Sequence, residues 1–322
     1  MSSPIRPLDS NTLSDIVSTL PSRPIISLRK DVSLKEALLV LANNHILSAP
    51  VFDPSTNTCI GLIDVLDCAT FTTQTYFDNS DHSQFKNYLL QFSFDVEQVG
   101  SVINMSGKNP YIPMKTTDSL LQLLKEFSNG VHRIPIMDEN NNVLAVCSQM
   151  TLFQYLFKNI DLKDNAELFT DFKKQTLKQV LANRTTAQKV INVKESQLAI
   201  DAIKVISDNG LSAVGVLSEK DGKLIGCLSA SDLQGFIDED YHHLASPVLE
   251  FQRKSREKNG SSVSSLVFCK VETHTVGDVI QRLLQDRVHR IFVMNDDMEV
   301  VALLSLTDIF KMVYEYLNSK QK

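Results

Sequence analysis

Apolar residues recur along this chain in two alternating rhythms. Short apolar runs with the character of strands alternate with stretches whose apolar residues return at helical spacing. Residues 25–71 set out the full order. Residues 25–28 predict a short strand. Leu34, Ala37, Leu38 and Leu41 then give one apolar helical face. Ser33 and Glu36 can form a capping box, because each side chain can take an early helix amide that has no partner within the helix. Residues 49–52 and 58–63 predict two strands joined by a turn at 53–57, and residues 64–71 open another helix.

The same strand-helix-strand-strand-helix order returns three times. The second copy uses residues 110–114, 120–127, 133–137, 143–147 and 152–157. The third uses 189–193, 198–206, 214–217, 224–229 and 233–237, and the fourth 268–271, 276–284, 291–294, 300–305 and 309–316. Pro50, Pro135, Gly215 and Phe292 fall at equivalent places, as do Asp67, Thr151, Asp232 and Asp308, roughly 80 residues apart. The expected organisation is an N-terminal arm at 1–19 and repeats at 20–75, 99–160, 180–240 and 262–318. Residues 13–20 read as an arm or a leading helix, and residues 77–98 leave room for another. One repeat has too little apolar surface for a core of its own. Two paired modules are therefore expected, residues 20–160 in one and 180–318 in the other.

Composition narrows the function classes. The 322 residues are 43% hydrophobic, enough for more than one core. A formal net charge of -6, from 32 basic and 38 acidic residues, disfavours a general nucleic-acid surface but leaves room for a local anion pocket. Cys59, Cys68, Cys147, Cys227 and Cys269 are scattered without a CxxC, which fits a reduced intracellular protein. No opening apolar signal segment and no membrane-length apolar run is legible, so the expected location is cytoplasmic or nuclear, with no membrane partner. No catalytic triad, Walker loop or dinucleotide fingerprint appears. His242 and His243 have no cysteines near them in the sequence, so no metal site is expected.

The chemistry-bearing pattern is a recurring His-Arg pair. VHRIPIMD carries His132 and Arg133, and VHRIFVMN carries His289 and Arg290. Each pair precedes an apolar strand. A guanidinium offers a planar fork of charge-assisted donors for phosphate, and an adjacent imidazole adds a polar contact. After the next strand come LSASDL and LSLTDIF, holding Ser229, Ser231 and Asp232, then Ser305, Thr307 and Asp308. A carboxylate can accept from both hydroxyls of a ribose, and small hydroxyls beside it leave space for a sugar. The plainer alternative is that these residues cap the following helix, and the two roles are compatible.

These motifs, in four tandem copies, resemble CBS (cystathionine-β-synthase) modules, and the set of four resembles the γ regulatory subunits of AMP-activated and SNF1-related protein kinases. The likeness covers most of the chain. It implies an α+β fold of four CBS repeats arranged as two paired modules in a compact disk. It implies a non-catalytic subunit that senses AMP, ADP or ATP and partners a catalytic kinase subunit and a scaffold β subunit. By the same match Asp67, Asp232 and Asp308 are the ribose positions and Arg133 and Arg290 the phosphate positions; Lys189, by its place near the start of the third repeat, is a further candidate phosphate contact. The match is uneven. Thr151 replaces an acid, Asp64-Val65-Leu66 precedes Asp67 without hydroxyls, and Leu47-Ser48 and Ser212-Ala213 replace the His-Arg pair in the first and third repeats. Fewer than four equivalent sites are expected. The alternative function is an independent tandem-CBS interaction protein that binds adenosyl compounds or no ligand.

Overall fold

A computed structural model describes residues 8, 11–21, 23–78, 94–157, 169–182, 190–258 and 266–320, apart from the side chains at 78, 238 and 256. Helix α1 (Leu13–Thr19) leads in. The first repeat runs β1 (Leu28–Arg29), α2 (Leu34–Asn43), β2 (Ser48–Asp53), β3 (Thr58–Asp64) and α3 (Val65–Asp78). After α4 (Val99–Val102), the second runs β4 (Met114–Lys115), α5 (Leu120–Ser128), β5 (Arg133–Met137), β6 (Val143–Ser148) and α6 (Gln149–Phe157). Helices α7 (Thr170–Lys174) and α8 (Leu177–Ala182) precede the third: β7 (Asn192–Lys194), α9 (Ala199–Asp208), β8 (Ala213–Leu217) and β9 (Leu224–Ser229). Two 3-10 segments, Ala230–Leu233 and Asp238–Ala245, follow, then α10 (Val248–Lys258). The fourth repeat is β10 (Phe268–Lys270), α11 (Val276–Gln285), β11 (Arg290–Met294), β12 (Val300–Ser305) and α12 (Leu306–Ser319).

Every repeat folds its three strands into one small sheet, with the first strand parallel to the second and the second antiparallel to the third. The corners repeat as well. The first helix of each repeat turns into its second strand through a residue in the left-handed region: His45, Gly130, Gly210 and Arg287. The hairpin tips do the same with Asn57, Asn141, Gly222 and Met298. Glycine and asparagine tolerate this backbone readily. Met298 and Arg287 hold it only because the surrounding hairpin and helix impose it. A break in register near the turn recurs in all four hairpins, for example between Val293 and Met294.

Two compact units result. Unit 1 contains residues 1–24, 112–190 and 267–322, and unit 2 contains 25–111 and 191–266. The paired modules expected from sequence are present, but with other members: the second repeat joins the fourth, and the first joins the third. All four first helices carry similar apolar faces, so the sequence did not distinguish the partners. In unit 1, α12 packs on α5, and Phe310 meets Phe127 and Phe153 at ring-centroid distances of 5.8 and 6.1 Å. In unit 2, α3 packs on α9, and Phe94 meets Tyr241 edge-on at 4.7 Å.

The leading helices sort across the repeats. Thr12, at the start of α1, bridges Ser119 at the start of α5, while Gln98, before α4, bridges Ser33 at the start of α2. The helix preceding the first repeat thus sits on the second, and the helix preceding the second sits on the first. Thr176 with Thr275, and Pro247 with Leu198, repeat this exchange between the third and fourth repeats.

Two local expectations change, and a third lies outside the described residues. The helix expected at 233–237 is instead the 3-10 segment Ala230–Leu233, because Gln234 turns extended and Gly235 takes φ +77°. Helix α10 then covers that surface, with Gln252 Nε2 donating to Cys227 O at 2.5 Å. At Ser33, Oγ accepts the Glu36 amide at 3.2 Å, the forward half of the expected box. The helix expected within 77–98 falls largely on residues 79–93, outside the described residues. None of the five cysteines forms a disulfide, and among the described residues no helix is long and apolar enough to cross a membrane.

Candidate functional site

The hairpin register explains why residues on either side of a strand pair belong to one site. Arg290 opens β11 and pairs with Ser305, which closes β12. The Leu306 amide then donates to His289 O at 3.0 Å. The cation-bearing end of one strand is thereby fastened to the hydroxyl- and acid-bearing start of α12. Arg133 pairs with Ser148 in the same way, and the Gln149 amide donates to His132 O at 3.0 Å. Unit 2 keeps this geometry with other side chains. Ser48 pairs with Asp64, and Ala213 pairs with Ser229.

The acids are also capping residues. Asp308 Oδ2 accepts the Ser305 amide at 2.8 Å and its hydroxyl at 2.6 Å, while Ser305 Oγ accepts the Asp308 amide at 3.3 Å. Asp232 Oδ2 accepts the Ser229 amide at 2.7 Å and hydroxyl at 3.0 Å, and Ser229 and Ser231 hydroxyls lie 2.7 Å apart. Such a cap fixes the carboxylate's direction and satisfies amides that the helix leaves open. In the second repeat the Thr151 amide bonds Ser148 Oγ at 3.2 Å, so a hydroxyl cap replaces the acid cap.

Unit 1 brings its two cationic corners into one electrostatic environment. His289 is held below the ordinary imidazole range by the burial of its ring first, then by the charges of Arg290 and Arg133. The residue nevertheless keeps solvent-exposed surface. The ring therefore stays neutral at pH 7 and has a donor or an acceptor to offer at the rim. Arg133, Arg290, Ser305, Thr307 and Asp308 are all half-buried. A second link joins the repeats. Gln149 Nε2 donates to Thr307 Oγ1 at 2.8 Å and lies 2.9 Å from Val131 O. Gln149 escaped the sequence reading, yet a signal was there: it stands where the other repeats place Val65, Ala230 and Leu306.

The first repeat differs. Asp64 and Asp67 are both buried, and Asp67 is 0% exposed. Their side chains trade backbone bonds at 2.9 Å. Ser106 N–H donates to Asp67 Oδ1 at 2.9 Å, and Asn109 Nδ2 donates to Asp64 Oδ2 at 2.6 Å. Burial first, and the Asp64 charge next, push the Asp67 carboxyl up to about 8, against the hydrogen bonds from Ser106 and Asp64. Asp67 is thus the one sequence-selected acid enclosed by protein. Lys189 lies outside the described residues. Among the described residues no group of three or more His, Cys, Asp or Glu side chains is placed to hold a metal ion.

Comparison with known proteins bears on this arrangement. The CBS domain family matches residues 14–71, 99–158, 183–239 and 263–315, together more than half of the chain. The 5'-AMP-activated protein kinase subunit gamma of Saccharomyces cerevisiae is 26% identical over 314 residues, covering 95% of this chain and 91% of that protein. Protein SDS23 of Candida albicans is 23% identical over 329 residues, covering 88% of this chain, which spans 49% of the SDS23 length. A solved Methanocaldococcus jannaschii protein shares the fold with a TM-score of 0.65 and 15% identity, covering 93% of this chain and 99% of its own.

Proposed function

The chain belongs to the CBS-domain family, as a tandem four-repeat protein related to the AMP-activated kinase γ and SDS23 proteins, and from that premise we propose that it is a non-catalytic, adenine-nucleotide-binding regulatory subunit. One observation carries the reading. Unit 1 gathers Arg133, His289 and Arg290 into one environment and fastens Arg290 to the Ser305–Asp308 junction. In this reading Arg133 and Arg290 hold phosphate, with His132 and His289 beside them. Asp308 receives the ribose hydroxyls, while Ser305 and Thr307 border the sugar. Asp232, with Ser229 and Ser231, offers a second ribose position in unit 2. Asp67 would serve only after residues 104–109 move away.

The proposed partners are a catalytic kinase subunit and a scaffold β subunit, and the proposed location is the cytoplasm or nucleus. The full-length match to the yeast γ subunit supports the partners. The SDS23 relatives favour a second reading, an independent CBS protein. Native purification from cells separates the two: a kinase and a scaffold chain should co-purify, and a persistent monomer supports independence. Isothermal titration of AMP, ADP and ATP tests the site. Arg290→Ala and Asp308→Ala should each weaken binding by about 2–5 kcal/mol, the usual cost of truncating a buried charged partner. Circular dichroism should show both variants folded. Unchanged affinities in both would remove this site assignment, and no binding by the unsubstituted chain would remove the nucleotide class.

A further inference from the structure

The buried acids of the first repeat do more than cap a helix. They close on a turn more than thirty residues along the chain. That turn, residues 104–109, is pre-shaped. Asn104 and Gly107 take φ of 53° and 69°, Asn104 Oδ1 accepts the Asn109 amide at 2.8 Å, and Asn104 O accepts the Gly107 amide at 2.9 Å. Lys108 donates to Gly210 O, at the corner of the third repeat. One turn therefore touches the acid junction of one repeat and the helix-to-strand corner of its partner repeat within unit 2.

The closed arrangement is not fully satisfied. Asn109 Oδ1 is buried without a hydrogen-bond donor. Two buried carboxyls side by side cannot both ionise without a large desolvation and repulsion cost, and burial with the Asp64 charge holds the Asp67 carboxyl above its ordinary range. The surrounding elements supply several further groups. Cys68 on α3 feels both acids, and Tyr241 of the second 3-10 segment feels Cys68 and Asp240. Helix α9 carries Asp201, which acts on Tyr76 of α3; the first 3-10 segment carries Asp232; α2 carries Lys35 and Glu36. Lys108 is the turn's own cation, and its bond is to Gly210 rather than to the acids.

We propose that residues 104–109 are an internal latch that occupies the acid position of the first repeat and stays shut while the buried pair Asp64 and Asp67 carries one charge rather than two. With both carboxyls ionised, two charges share one buried junction, and hydration favours the open turn. One donor that the latch supplies, the Ser106 amide N–H, stands on Asp67 where a ribose would supply a hydroxyl. The last point rests on the function proposed above; the latch itself does not. Opening would add the first repeat to the nucleotide positions, and closing would withdraw it.

Hydrogen exchange of the full chain, read by mass spectrometry between about pH 6.5 and 9 and corrected for intrinsic chemistry, tests the latch. Protection of residues 104–110 should fall at least about tenfold across that range relative to residues 120–128 of unit 1. Asp64→Asn removes the repulsion and should hold the protection level. Equal profiles for the turn and the reference segment, or for the unsubstituted chain and Asp64→Asn, would overturn the proposal. Carboxyl carbon NMR of the unsubstituted chain provides a reading without a variant: an Asp67 carboxyl that titrates like an ordinary aspartate also overturns it. Neither measurement uses nucleotide, so failure here is separate from failure of the nucleotide reading.

Discussion

Unit 1 and unit 2 use the same repeat and the same strand register, yet they equip the hairpin-to-helix junction in opposite ways. Unit 1 has His-Arg at both strand entrances, a hydroxyl or acid cap at both helix starts, and a glutamine that ties the two junctions together. Unit 2 has Leu47-Ser48 and Ser212-Ala213 at those entrances and a buried acid pair stopped by its own turn. The register sets where a ligand group can stand. Side chains decide whether that place is an open cationic rim or a sealed acidic interior.

The largest expected contrast is in packing. Phe310→Ala leaves a hole between Phe127 and Phe153 and should destabilise unit 1 by about 3–5 kcal/mol. Gln234 holds the equivalent place in the third repeat and donates to His45 O at 2.9 Å. Gln234→Ala should cost only about 1 kcal/mol. Chemical denaturation of both variants measures the pair, and equal losses would mean the units share one core logic.

A sharper contrast lies in pH. Asp67 keeps its proton in the native chain above pH 3.8, where the unfolded chain has released it. Its contribution to unit 2 stability therefore declines as pH rises from about 4 toward about 8. His289 behaves in the opposite sense. The native ring resists protonation below 6.5, where the unfolded ring accepts a proton, so its contribution to unit 1 declines as pH falls below that value. Hydrogen exchange in each unit across pH should show slopes of opposite sign. An anion bound beside His289 would raise its pKa, so AMP affinity should increase on mild acidification and lose that dependence in His289→Ala. Proton NMR of the ring checks the cause: Arg133→Ala should bring His289 titration closer to 6.5.

The smallest contrast is at the helix caps. Thr275 Oγ1 accepts the Asp278 amide at 3.3 Å in a full capping box, whereas α9 has Leu198 at its N-cap position and no side-chain cap. Thr275→Ala should cost about 1 kcal/mol in a denaturation curve. Leu198→Ala loses no cap, so any loss there reports packing.

Much of this was legible because it is local. Apolar spacing marks the strands and first helices, and the repeated His-Arg and Ser-x-x-Asp patterns mark both ends of a hairpin that register later joins. The pairing of first with third and second with fourth repeats was not legible, since Leu34, Leu120, Ala199 and Val276 open similar apolar faces. Gly235 broke a helix whose apolar spacing looked sound, because one residue at positive φ outweighs several matching side chains. Asp67 looked like Asp232 and Asp308 in sequence. Its enclosure depends on Ser106 and Asn109, far along the chain, and no local pattern announces a partner at that separation.

The interleaving of the two units also sets an order of assembly during synthesis. Unit 2 draws its last segment from residues 191–266, so its pieces have all left the ribosome while unit 1 still lacks its fourth repeat. Unit 1 cannot place α12 against α5 until Leu306–Ser319 has emerged. The second repeat, with Phe127 and Phe153 made early, must wait with an uncovered apolar face through the translation of nearly half the chain. That interval is where a chaperone would find this protein, and where a pause in translation would be felt most.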